Sequence, residues 1–180
     1  MVLVILIGCS HNPSDPLRFV SEEIKMSVIS GKVLIHGTYY FRNYARETKT
    51  AVIFYPFPID SFHYYPDSIL VNGLNYTKKD SGINFIIRFR PLVLETLRVF
   101  YQQRLEDNQA RYILTTTQNW QRPLKEAKFI IDISESFTYP KFPICSYEAD
   151  SIIKRGNRFF FYLYKKNFMP QKDLILYWTN

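Results

Sequence analysis

The sequence predicts one all-β domain, an antiparallel β-sandwich of about ten strands with little helix. Three observations carry that expectation. Apolar residues recur every second position along most of the chain, the period of a strand with one buried face. The periodic runs are separated by turn residues such as Ser30-Gly31 and Gly156-Asn157. Aromatic residues are abundant, with 14 Tyr and 15 Phe, and both types suit a pleated, half-buried surface.

The elements follow in order. Ile24, Met26 and Val28 alternate with Lys25 and Ser27. After Ser30-Gly31, the residues Val33, Ile35, Gly37, Tyr39 and Phe41 share one face, opposite Lys32, His36, Thr38 and Arg42. Thr50 to Phe57 is apolar almost throughout, which predicts a strand covered on both faces. Ile83, Phe85, Ile87 and Phe89 alternate with Asn84, Arg88 and Arg90, and Leu97, Val99 and Tyr101 follow after Pro91. Glu106-Asp107-Asn108 makes a turn into a strand through Tyr112, Leu114 and Thr116. Ala127, Phe129, Ile131 and Ile133 oppose Glu126, Lys128 and Asp132. Phe159, Phe161 and Leu163 face inward from the next strand, and Leu174, Leu176 and Trp178 close the chain. The one place for helix is a turn or two over Pro123 to Glu126, where Pro123 could open it.

The chain has 180 residues, enough to bury a sizeable core, with 47% apolar and 22% charged residues. Its net charge of +7 favours anionic partners. The basic residues are scattered, however, which fits the solvated outer face of a sheet better than a nucleic-acid stripe. Lys154, Arg155, Arg158, Lys165 and Lys166 bracket a strand without forming a continuous track, so no nucleic-acid partner is expected.

The N-terminus differs from the rest. Met1 to Gly8 carries no charge or hydroxyl, Cys9 and Ser10 follow, and the chain then turns polar through His11-Asn12-Pro13-Ser14-Asp15-Pro16. Eight apolar residues are too few for a spanning helix, which needs about 20. They can end a secretory signal or form a buried first strand. Leu6-Ile7-Gly8-Cys9 resembles the lipobox of bacterial envelope lipoproteins. That resemblance implies acylation of Cys9, with Ser10 compatible with transport to the outer membrane. No Lys or Arg precedes the cysteine, so the basic start of the signal is expected upstream of Met1. The expected organisation is a signal remnant over 1–8, a polar linker over 9–20 and the β-sandwich over 21–180. The membrane is reached through lipid on Cys9, on the periplasmic side or at the surface.

If Cys9 carries lipid, Cys145 is left as a buried free thiol. If it does not, a bond from Cys9 to Cys145 is open in an oxidising compartment. The two cysteines do not have the spacing of a zinc site, and neither a metal nor a cofactor is expected.

Candidate chemistry is sparse. His11 lies in the linker and His36 points off the core face. His63 sits in an aromatic loop with Asp60, Tyr64, Tyr65 and Asp67. Asp60 and His63 could pair as a base and its orienting group, the nucleus of a hydrolase, yet no nucleophile or anion hole accompanies them. The expectation is therefore a non-enzyme. Tyr55, His63, Tyr64 and Tyr65 make a candidate binding surface, because tyrosines on a β-scaffold stack on sugar rings or dock a partner chain.

Gly37-Thr38-Tyr39-Tyr40-Phe41-Arg42-Asn43, Tyr55-Pro56-Phe57-Pro58 and Val71-Asn72-Gly73 resemble the opening of β-sandwich domains of the inter-alpha-trypsin (VIT-like) kind. The likeness spans residues 33–73 and implies an interaction or structural module. Taken together, the sequence reads as a lipid-anchored envelope module whose partner is another envelope protein, or alternatively a glycan or peptidoglycan fragment.

Overall fold

Strand periodicity accounts for most of what the chain builds. The computed structural model describes residues 15–134 and 143–178, together with the backbone of residues 3–6. Cys9, His11 and the lipobox residues Ile7 and Gly8 lie outside the described residues.

The strands are β1 (Leu3–Leu6), β2 (Leu17–Ile29), β3 (Lys32–Asn43), β4 (Lys49–Pro56), β5 (Ser68–Val71), β6 (Tyr76–Lys79) and β7 (Gly82–Phe89). They continue with β8 (Leu94–Arg104), β9 (Gln109–Tyr112), β10 (Leu124–Ile133), β11 (Ile144–Cys145), β12 (Ser151–Arg155), β13 (Arg158–Phe168) and β14 (Leu174–Tyr177). The one helical element described is a 3-10 helix at Thr115–Trp120, between β9 and β10.

A seven-stranded sheet in the order β12-β13-β10-β2-β3-β8-β5 forms the base. A four-stranded sheet, β1-β4-β7-β6, and a three-stranded sheet, β11-β14-β9, pack against it. Aromatic contacts tie the layers together. Phe41 of β3 meets Phe89 of β7 at 5.4 Å between ring centres, and Tyr55 of β4 meets Tyr101 of β8 at 6.2 Å. The core runs continuously through all three sheets, from Val28 and Ile35 to Ile53, Phe85, Leu174 and Leu176. Each such fully buried side chain contributes about 1.5–3 kcal/mol of apolar transfer free energy.

The all-β class stands, but a single antiparallel sandwich does not. β10 lies parallel to β2, with Phe129 opposite Ile24, and β1 lies parallel to β4. A parallel neighbour needs a long connection, and the chain from β2 to β10 passes through the rest of the fold before returning. Periodicity reveals which face of a strand is buried and says nothing of which strand lies beside it.

Three further expectations are corrected. β2 begins at Leu17, so residues 17–20 belong to the sheet and not to a linker. Helix is absent from Pro123 to Glu126, where β10 starts, and appears instead at Thr115–Trp120 in the expected strand. The cause is local. Asp173 Oδ1 accepts from the N–H of Leu114 at 3.0 Å, the N–H of Thr115 at 3.1 Å and the Thr115 hydroxyl at 2.9 Å. Those bonds take the backbone donors out of any ladder and end β9 at Tyr112. Lastly, β4 is not buried on both faces: Ala51, Ile53 and Tyr55 are buried while Val52, Phe54 and Pro56 are half-covered.

A bulge shapes the start of β2. The register with β3 shifts between Phe19 and Ser21, so Leu17 and Phe19 face inward before it and Glu22, Ile24, Met26 and Val28 after it. The Ser30-Gly31 hairpin forms as expected, with both residues at positive φ (51° and 67°). No described helix is long and apolar enough to cross a membrane.

Candidate functional site

Glu22 is 2% exposed, on the inward face of β2. It lies in line with the apolar Ile24, Met26 and Val28, at a position where a buried carboxyl needs a partner. Its Oε1 makes no hydrogen bond. Burial alone pushes its carboxyl up to about 8, so the acid is mostly protonated at neutral pH.

The residues around it form a cavity between the large sheet and β4, closed on one side by the 3-10 helix. Its free space is about 30 Å³, room for one or two water-sized groups. Glu22, Tyr39, Phe41, Tyr55, Leu97, Tyr112, Thr117 and Trp120 are its buried walls. Phe19, Pro56, Ile113 and Thr116 are half-exposed and form its rim.

Three tyrosines share one hydrogen-bond chain at the floor. Tyr39 Oη lies 2.6 Å from Tyr55 Oη and 2.8 Å from Tyr112 Oη. Burial raises all three phenols above their ordinary range, so they stay neutral and act as donors and acceptors only. Gly37, two residues before Tyr39 on the same face, makes this possible. A Cβ at Gly37 would overlap the Tyr39 hydroxyl and ring. Trp120 completes the wall, 5.5 Å from Phe41 and 5.9 Å from Phe19 between ring centres.

The residues singled out from sequence fare differently. Asp60 and His63 do meet: His63 Nδ1 lies 2.7 Å from Asp60 Oδ1. The other ring nitrogen accepts the N–H of Arg111 at 3.0 Å. With Nε2 as acceptor, Nδ1 carries the proton and donates to Asp60. Both ring nitrogens are thus spent, and His63 is 1% exposed. The pair is a strut that holds the loop after β4 against β8 and β9, aided by Gln103 Nε2, which donates to the carbonyls of Pro58 and Tyr64. Asp60 itself is drawn up by burial, but the His63 bond, the Phe62 N–H and Arg111 outweigh this and leave its carboxyl below the usual range.

Tyr55 and His63 are buried and so do not belong to an exposed surface. Tyr65 is half-buried, its hydroxyl donating to the Gly82 carbonyl at 2.8 Å. Tyr64 remains, 45% exposed, its ring 5.3 Å from the Arg104 guanidinium and its hydroxyl on Glu106. Cys145 is partly covered, and burial pushes its thiol up, away from nucleophilic character. Among the described residues no three His, Cys, Asp or Glu side chains converge as metal ligands.

No protein family model and no curated protein sequence matches the chain. Solved structures do. One is a "putative nutrient binding protein" from Legionella pneumophila, with a TM-score of 0.61 and 16% identity over 90% of this chain and 67% of that one. Another is an M1 zinc metallopeptidase of Deinococcus radiodurans with bound Tyr-Ser-Ala substrate, at a TM-score of 0.52 and 13% identity, covering 95% of this chain and 45% of that one. A further M1 metallopeptidase structure from the same organism gives 0.52 at 14% identity, again over 45% of its length. This chain therefore spans less than half of the metallopeptidases it matches. At such identities the likeness shows the fold: an all-β domain shared by proteins of different kinds. The zinc of those peptidases finds no matching donor set among the described residues.

Proposed function

We propose that this chain is a binding module of the bacterial cell envelope, tethered through lipid on Cys9, whose β-domain holds a ligand and performs no chemistry on it. The observation that carries the binding half is the Glu22 cavity, a polar group without a partner inside a wall of aromatic rings. Folded domains rarely leave a buried carboxyl unsatisfied, and where they do a missing ligand is one physical reason. The absence of a spare acid–base nitrogen at His63 supports binding over hydrolysis. The fold of the Legionella protein, described as nutrient-binding, is consistent with the same reading. The tether rests on Leu6-Ile7-Gly8-Cys9 and the polar break after it.

Two measurements test the proposal. Mass spectrometry of the protein expressed with its upstream region should find an acyl mass on Cys9; an unmodified Cys9 refutes the tether. Thermal-shift titration of the full chain against amines, amino acids and sugars should give a saturable rise in Tm for at least one class. No response from any class removes the binding half.

A second reading keeps one specific observation. Tyr64 is the exposed member of the tyrosine loop and could stack on a glycan ring of the envelope. Loss of cell-wall pull-down in Tyr64→Ala, with Glu22→Gln unaffected, would favour it over the cavity.

A further inference from the structure

We propose that the Glu22 cavity is a cation site that takes the protonated head of a small amine, an ammonium or primary alkylammonium group, between the Glu22 carboxylate and the surrounding tyrosines. The inference rests on the binding reading above and adds the chemical class of the ligand.

Charge comes first. Among the described residues, the cavity is lined by one acid and by no Lys, Arg or His. Its carboxyl has two stable options: to remain a neutral acid, or to ionise beside a cation brought from outside. An anionic ligand is disfavoured by the same group.

The walls suit a monovalent organic cation. Phe19, Tyr39, Phe41, Tyr55, Tyr112 and Trp120 surround the space, and aromatic faces attract ammonium groups, most strongly where water is excluded. A dication such as Ca²⁺ requires six to eight oxygen ligands, and one carboxylate with three phenols falls short of that set.

The hydroxyls supply the remaining partners. Three phenols carry three protons, and the two bonds centred on Tyr39 use two of them. The chain keeps unspent lone pairs able to accept from an ammonium N–H. Size sets the limit. A free volume of about 30 Å³ admits the head group alone, so any alkyl tail must leave past the half-exposed rim at Phe19, Pro56, Ile113 and Thr116.

Binding exchanges ions in a balanced way. The protonated Glu22 releases its proton to buffer as the ammonium enters, leaving a carboxylate–ammonium pair. At neutral pH, where Glu22 is mostly protonated, up to one proton appears per cation bound. Among the described residues, the titratable groups facing Glu22 are Tyr39, Tyr55 and Tyr112, all raised and therefore silent in this range.

The test is calorimetric and thermal-shift titration of the full chain with methylammonium chloride, with sodium chloride and methanol as controls at matched ionic strength. Calorimetry is repeated in two buffers of different ionisation enthalpy. The expected result is a saturable response to methylammonium alone, with proton release at pH 7, abolished in Glu22→Gln. Tyr112→Phe, which keeps the ring, should weaken the same response about three- to ten-fold, and it serves if Glu22→Gln fails to fold. An equal response to sodium chloride, or an undiminished response in the folded Glu22→Gln variant, overturns the assignment. Saturable binding of a sugar or other neutral molecule without any amine response overturns the cation class and leaves the binding module standing. No saturable binding at all overturns both.

Discussion

The backbone N–H of Arg111 donates to Nε2 of His63 across 3.0 Å, and this contact turns an apparent catalytic base into a structural one. His63→Ala removes a buried ring and leaves that N–H and the Asp60 carboxylate without their partner. The expected cost is about 2–4 kcal/mol in urea unfolding, with no change in ligand binding at the Glu22 cavity. A loss under 0.5 kcal/mol would show that the loop is held without the strut.

Gly37→Ala should be more damaging than its single methyl suggests. The new Cβ meets the Tyr39 ring, whose hydroxyl is held by Tyr55 and Tyr112 and would have to give up those bonds to move away. The expectation is a loss of about 1–3 kcal/mol together with a changed near-ultraviolet tyrosine signal. The double variant Gly37→Ala, Tyr39→Ala should lose that clash, so the two substitutions should not add.

Glu22 gives the domain an unusual pH dependence. Burial pushes its folded carboxyl up to about 8, from the ordinary 4.5 of an exposed glutamate. Between those values the folded state binds more protons than the unfolded one, so stability falls as pH rises through that window and levels off above it. The swing is about 5 kcal/mol at most. Urea unfolding at pH 5, 7 and 9 should show the decline in the wild type and a flatter profile in Glu22→Gln. Parallel profiles for the two proteins would mean that Glu22 ionises freely in the folded state.

Asp173→Ala should loosen the turn between β9 and β10. Three donors, from Leu114 and Thr115, converge on one carboxylate oxygen there. Amide exchange over Thr115–Trp120 should quicken relative to β10, and the cavity wall at Trp120 should become less ordered. Unchanged protection of those amides would place the cause of the turn elsewhere.

The sequence made the strand faces readable and left their neighbours unreadable. The inward residues of β3, β7, β10 and β13 follow from a two-residue period, because burial on one face imposes that period directly. The parallel pairing of β10 with β2 leaves no local trace. The 3-10 helix was hidden for another reason: the Thr-rich run favours extended backbone, and Asp173, some 60 residues away in the chain, overrides that preference. Glu22 was legible in principle. Extending the Ile24, Met26, Val28 series two residues back places a carboxyl in the core, which is the kind of conflict that marks a functional position. The tyrosine loop misled because its residues carry the right chemistry for a surface, and only packing reveals that Tyr55 and His63 lie beneath it.

One consequence concerns β1. Leu3 to Leu6 runs beside Ala51 to Phe54 and completes the outer border of the four-stranded sheet. Removal of everything before Cys9, as acylation there would entail, takes β1 away and exposes the backbone groups of β4 along that border. The uncleaved chain would zip its own seam, whereas the matured one would carry an open seam able to receive a strand from another chain. Processing would then act as a timer on assembly, and faster amide exchange across Lys49–Pro56 in the processed protein would reveal it.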